Sequence, residues 1–277
     1  MSKKIENSAS NNSNEKIESE LLFLFKFVLY LIITMITLPL SIFFPKLREN
    51  LKKPFEEVKN FIFGAKITFI LVIINIIIFF LEIFLIKSNT INTISLLNLK
   101  ITGIHLLDVF INIIFTGFLH ASWSHLLGNM LMLFVFGRIV EKYIPEKYLL
   151  IYFGSMIFGG GLSSLLGQPG IGASAAIAGI VLTAILIRPF YFSFAAIIPV
   201  PVFILGWISI YGDFAAALAR NNDGIGHLAH IGGYVSAFLV SLFFVGTNKK
   251  HKIKQGLIVN MIMLLITFAV WFLFFRH

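Results

Sequence analysis

Seven apolar runs constrain this chain more than any other feature. They fall at about Ile67–Ile86, Leu126–Tyr143, Tyr148–Leu166, Ser174–Ile187, Phe194–Leu218, Leu228–Val245 and Leu257–Phe275. Read as helices, they suit a hydrocarbon core about 30 Å thick. The fourth is short, and its start is set by a motif more than by hydropathy. Apolar residues make up 58% of the chain and charged residues only 13%, with a mean hydropathy of +0.91. The expected class is an all-α polytopic membrane protein. With no cysteine, disulfides, thiolate chemistry and cysteine-based zinc sites are excluded. The formal charge of +9 does not point to nucleic acid, because the basic residues sit between apolar runs as a topology signal does.

Residues 1–20, rich in Ser, Asn, Lys and Glu, read as a disordered polar tail and lack the apolar core of a signal peptide. Residues 21–66 hold an N-terminal apolar segment and a basic linker. In that segment Leu21–Phe44 carries Lys26 and Pro39, and spanning, re-entrant and interfacial placements all fit it. Residues 67–245 form a six-helix core, and 246–277 a basic loop with a seventh helix. With the start of the Ile67 helix taken as cytoplasmic, 14 of the 22 Lys and Arg residues fall on the cytoplasmic side and four on the other. That asymmetry orients the chain. The helices opening near Leu126, Ser174 and Leu228 then enter from the outer side. His125, Ser174 and His230 share one depth near the extracytoplasmic face.

Ser174 follows Gly172 and Ala173 after the loop Gly167-Gln168-Pro169-Gly170, which places it in the first turn of a helix. Unpaired N–H groups and the positive end of the helix dipole lie there, suited to a developing oxyanion. The plain alternative is an N-cap serine. His125 and Asn129 are four residues apart and share a helix face, with His120 in the loop before them. Interhelical hydrogen bonding also accounts for such residues. Ala229, Gly233 and Ala237 make a small-residue seam that lets helix backbones touch, and His230 projects beside it. Close contact there brings Ser174 and His230 toward the 2.6–3.2 Å that proton transfer requires. His227 is a rival base, nearer the loop and more solvated. No carboxylate is well placed for a triad: Asp213 and Asp223 read as structural charges, and a Ser-His dyad is expected. No zinc-protease motif, P-loop or dinucleotide-binding pattern occurs, so no metal and no cofactor is expected.

These elements together resemble the rhomboid intramembrane serine proteases. The likeness rests on His120, His125 and Asn129 opening the second helix, Gly172–Ser174 opening the fourth, and Ala229–Gly233 in the sixth. It covers about Ile67 to Val245. It implies Ser174 as nucleophile and His230 as general base, then acid. It also implies an oxyanion hole of Asn129, His125 and the Ser174 N–H, a supporting role for His120, and transmembrane protein substrates entering laterally past the fifth helix. The implied setting is the cell membrane, multi-pass, in contact with the lipid bilayer. Pro199 and Pro201 are expected to loosen the cytoplasmic end of the fifth helix. Ala175, Ala178 and Ala237 depart from residues common in the family, and the loop at 87–119 lacks a Trp-Arg pair found in some members. That loop's apolar content suits the outer interface. Two alternatives remain: a catalytically silent rhomboid-like protein that binds membrane clients, and a small-solute transporter. The latter lacks the paired broken helices such transporters show.

Overall fold

The computed structural model describes residues 22, 25–26, 28–40, 44–87, 102–168, 170–196, 198–219, 225–244 and 250–275. The expectations for the tail at 1–20, for Asp223 and for the first half of the 87–119 loop lie outside the described residues. Contacts divide the chain into two units, Met1–Lys66 with Tyr191–Pro201, and Ile67–Phe190 with Val202–His277.

The first unit holds helix α1 (Val28–Leu40), helix α2 (Pro45–Phe63) and an antiparallel hairpin of β1 (Phe192–Ala196) and β2 (Ile198–Pro201). Pro45 opens α2 where a missing N–H costs nothing. Glu56 and Lys59 pair at 3.3 Å on its exposed face.

The second unit contains α3 from its second residue (Lys66–Lys87), α4 (His105–Thr116), α5 (Trp123–Tyr143), α6 (Pro145–Leu165), α7 (Ser174–Ile187), α8 (Val202–Leu218), α9 (His227–Phe244) and α10 (Lys250–Phe275). The chain is an all-α membrane protein, with one short hairpin among the described residues. By length and composition, α3, α5 and α6 can cross a bilayer unaided.

Helix α7 is the centre of the unit. Twelve of its 14 residues are buried, as expected for a helix apolar on every side, and it packs against α5, α6, α8, α9 and α10. At 1.5 Å per residue it measures about 21 Å, short of a hydrocarbon core of about 30 Å. Neighbouring helices surround it, so its irregular N-terminal approach meets protein and a cavity, the only setting a bilayer allows for unpaired backbone. Helix α4, at 12 residues, is also too short to cross, and it exposes Leu106, Leu107 and Phe110.

Two anchors hold the bundle. The Glu141 carboxylate of α5 accepts hydrogen bonds from Ile67 N, Thr68 N and Thr68 Oγ1, each at 2.8 Å, so it caps α3 from a distant helix and meets the positive end of its dipole. Glu141→Ala should cost about 2 kcal/mol, read as a lower midpoint of thermal unfolding in detergent, and Glu141→Gln should cost less. On α10, a side chain at Gly256 would collide with the Leu186 carbonyl of α7. One turn later, Asn260 donates to Ile185 O at 3.2 Å and accepts from Trp207 Nε1 of α8 at 2.7 Å.

One expectation is corrected. The fifth apolar run, Phe194–Leu218, is not a single helix: its first residues belong to the hairpin, and α8 begins at Val202. Pro199 and Pro201 lack N–H groups, and proline keeps the residue before it out of helical geometry. The prolines therefore end the hairpin and set the start of the helix instead of loosening its end.

Candidate active site

Three segments of the second unit meet at one cavity. The first is the approach to α7. Gly167 and Gly172 both take positive φ, +74° and +112°, a region that glycine enters freely. Ser163 Oγ donates to Gln168 O, Gln168 N donates back to Ser163 O at 2.9 Å, and Gly172 N donates to Thr116 O at 2.9 Å. The loop thus delivers Ser174 as the first residue of α7. Ala173 occupies the N-cap, and no side chain caps the helix. The N-cap alternative for Ser174 is therefore set aside, and its hydroxyl is not committed to the backbone.

The second segment opens α5. Ser122 Oγ accepts from His125 N at 3.1 Å, which starts the helix and stacks His125 one turn before Asn129. A Cβ on Gly172 would lie 2.7 Å from His125 Nε2 and 3.3 Å from Asn129 Nδ2. The bare glycine is what lets an imidazole and a carboxamide approach the backbone beside Ser174. Asn129 is buried, and its Nδ2 has no partner among the described residues. His120 sits behind them. Its N–H donates to Glu82 Oε2 at 3.2 Å, and its ring packs against Phe79 and His125. Burial, with His125 adding to it, pushes the His120 imidazole down to about 4, so the ring is neutral at physiological pH. Phe118 O, 3.1 Å from its Nδ1, can only accept, which puts the single proton on Nδ1.

The third segment is the start of α9. A side chain on Gly233 would strike the Ala175 carbonyl of α7, and one on Gly159 of α6 would strike the Ala229 carbonyl. Backbones touch on both sides of α9, as the small-residue seam predicts. Gly159 and Gly233 also make room for the methyls of Ala175 and Ala178.

His230 brings the main correction. Its Nδ1 lies 2.7 Å from Asp213 Oδ1 on α8, so a carboxylate does stand behind the imidazole. His227 is not a solvated outlier either: it is buried, with Nδ1 2.9 Å from the same oxygen. Tyr234 donates to Asp213 Oδ2 at 2.7 Å, and Ser209 Oγ lies 3.2 Å from the Tyr234 hydroxyl. An ionisable residue within an apolar helix signals a functional site with a partner. That rule flags Asp213 but does not reveal which way it faces, because the rotation of α8 about its axis is decided by packing.

The cavity has a volume of about 920 Å³, and Ser174, His230, His125, Asn129, Ser209 and Tyr234 are among the residues lining it. No hydrogen bond joins Ser174 to His230 in this conformation. Asp213, His227 and His230 offer three ligand atoms within 4.8 Å of one another. Yet separations of 2.7 and 2.9 Å are hydrogen-bond lengths, whereas two ligands of a tetrahedral zinc, each at about 2.0–2.1 Å, stand about 3.3 Å apart. These spacings are those of a hydrogen-bonded cluster.

The family model of the rhomboid domain matches residues 108–247, the stretch that carries every residue of this cavity. The chain is also 30% identical over 164 residues to RHOMBOID-like protein 12, mitochondrial, of Arabidopsis thaliana. That match covers 50% of this chain and 46% of the relative, so the chain spans about half the length of the curated relative it matches.

Proposed function

Because the chain belongs to the rhomboid family, we propose that it is an intramembrane serine endopeptidase with Ser174 as nucleophile and His230 as general base. The supporting observation is the convergence, on one cavity, of a serine at a helix N-terminus and a buried carboxamide N–H, both without a hydrogen-bond partner among the described residues, and an imidazole backed by a carboxylate. The reaction needs these three things: an activated oxygen, a proton carrier and a donor for negative charge.

In this reading His230 Nε2 takes the Ser174 proton as Oγ bonds to the scissile carbonyl carbon, and the C=O pair moves onto oxygen. Asn129 Nδ2, the His125 ring and the Ser174 N–H receive that oxyanion, and the dipole of α7 adds to them. The intermediate collapses, the C–N bond breaks, and His230 returns the proton to the leaving amine. Water, deprotonated by His230, then attacks the acyl-enzyme, and Ser174 recovers its proton as the ester bond breaks. His120, neutral and held by Glu82, supports His125 from behind. The substrates are transmembrane segments reaching the cavity laterally past α8, and the basic loops support a site near the extracytoplasmic face of the cell membrane.

A fluorophosphonate probe tests this reading directly. It should label the wild-type protein and leave Ser174→Ala unlabelled. A silent relative that only binds clients would leave the wild type unlabelled too. In cleavage of a transmembrane substrate with a weakened helix, Asn129→Ala should lower kcat about 10²–10³-fold. A fully active Asn129→Ala would remove that residue from the oxyanion site.

A further inference from the structure

We infer that Asp213 is a positioning residue that fixes the tautomer and direction of the His230 ring, turning the expected pair into a Ser174–His230–Asp213 chain. The inference rests on the hydrolytic reading above and extends it to a residue on a third helix.

Three polar groups face one carboxylate: His230 Nδ1 at 2.7 Å and His227 Nδ1 at 2.9 Å from Oδ1, and the Tyr234 hydroxyl, which donates to Oδ2 at 2.7 Å. An ionised carboxylate is acceptor-only, so with Asp213 ionised each of these contacts carries its proton on the partner. That places the proton of neutral His230 on Nδ1 and leaves the lone pair of Nε2 for the serine. An imidazole free to choose would spend part of its time in the other tautomer, with Nε2 protonated and unable to act as a base. When His230 accepts the proton from Ser174, the same carboxylate faces the new cation across 2.7 Å. Ala178, packed beside Gly233, presents only a methyl and cannot orient a ring by stacking. Orientation therefore comes from hydrogen bonding. Tyr234, seated one turn beyond His230 on α9, holds the second carboxylate oxygen and is itself met by Ser209. This keeps Asp213 from turning away.

The arrangement matches the role of the buried aspartate in serine proteases of unrelated fold. There the asparagine variant keeps its geometry but loses about 10⁴-fold in kcat, because the histidine adopts the wrong tautomer.

The test compares wild type with Asp213→Asn. Asparagine keeps the size of the side chain but can present an N–H to Nδ1. In detergent, Asp213→Asn should hold its thermal midpoint and its KM for a transmembrane substrate within about twofold, while kcat falls at least about 10²-fold. A structural role alone would move the midpoint or KM. The second readout does not use activity. In Ser174→Ala protein with ¹⁵N-imidazole labelling, His230 should carry its proton on Nδ1, and Asp213→Asn in that background should shift it to Nε2. If Asp213→Asn fails to fold, the labelled Ser174→Ala protein alone decides: a proton on Nε2 overturns the inference. Unchanged kcat in a folded Asp213→Asn protein overturns it as well. Should wild type neither cleave nor take the fluorophosphonate label, while His230 still carries its proton on Nδ1, the positioning role stands and the hydrolytic reading fails.

Discussion

Ser174→Ala and His230→Ala are each expected to abolish cleavage of a reconstituted transmembrane substrate, lowering kcat on the order of 10⁶-fold. The double variant should be no worse than either alone. Each side chain acts only through the other: without the imidazole the hydroxyl keeps its proton, and without the hydroxyl the imidazole has nothing to activate. Losses of a unit of this kind do not add. The residual rate over the uncatalysed reaction should come from the oxyanion donors near Gly172, which neither change touches. Single-turnover assays that vary substrate separate this from a binding defect, because KM should stay near the wild-type value. If Ser174→Ala retained even a hundredth of wild-type turnover, the serine would not be the nucleophile.

Gly233→Val is the second large effect, and it acts through distance instead of chemistry. The added side chain meets the backbone carbonyl of Ala175, which cannot yield by changing rotamer. Either α9 withdraws from α7 or the local helix distorts. Overpacking a well-filled interior typically costs about 1–3 kcal/mol, and a backbone obstacle argues for the upper end. Withdrawal also carries His230 away from Ser174, and since a misplacement of about 1 Å can cost about 10²-fold in rate, activity should fall more than stability. Gly161→Ala provides the control. The nearest atom to its new Cβ is Ile113 Cδ1 at 3.9 Å, an ordinary contact, so folding and cleavage should be close to wild type. Comparing thermal midpoints with turnover for the two variants tests both statements.

The parts of the site readable from sequence are those fixed by local rules. Spacing of four placed His125 and Asn129 on one face, a glycine-rich loop placed Ser174 at a helix start, and a seam of small residues placed His230 at a tight helix contact. The same seam resolves into two contacts, Gly233 on Ala175 and Gly159 on Ala229, with the second partner on α6, where no motif drew attention. Asp213 was visible as a charge in an apolar helix, but its alignment with His230 depends on the rotation of α8. That rotation is set by packing among several helices, and spacing along the chain does not encode it. The same holds for His227: proximity to a loop suggests water, while a carboxylate from another helix meets its ring. The hairpin before α8 was hidden because its residues are as apolar as a helix, and only the two prolines argued otherwise.

The bond between Trp207 and Asn260 carries a mechanical consequence. It pins α8 to α10 six residues before Asp213, about 9 Å along the helix axis. Were α8 to lean outward by about 10° around that pin, Asp213 would swing by roughly 1.6 Å, more than a 2.7 Å hydrogen bond tolerates. The carboxylate sits beyond a pin supplied by the last helix, so an outward lean of α8 about that pin would slacken the grip on His230.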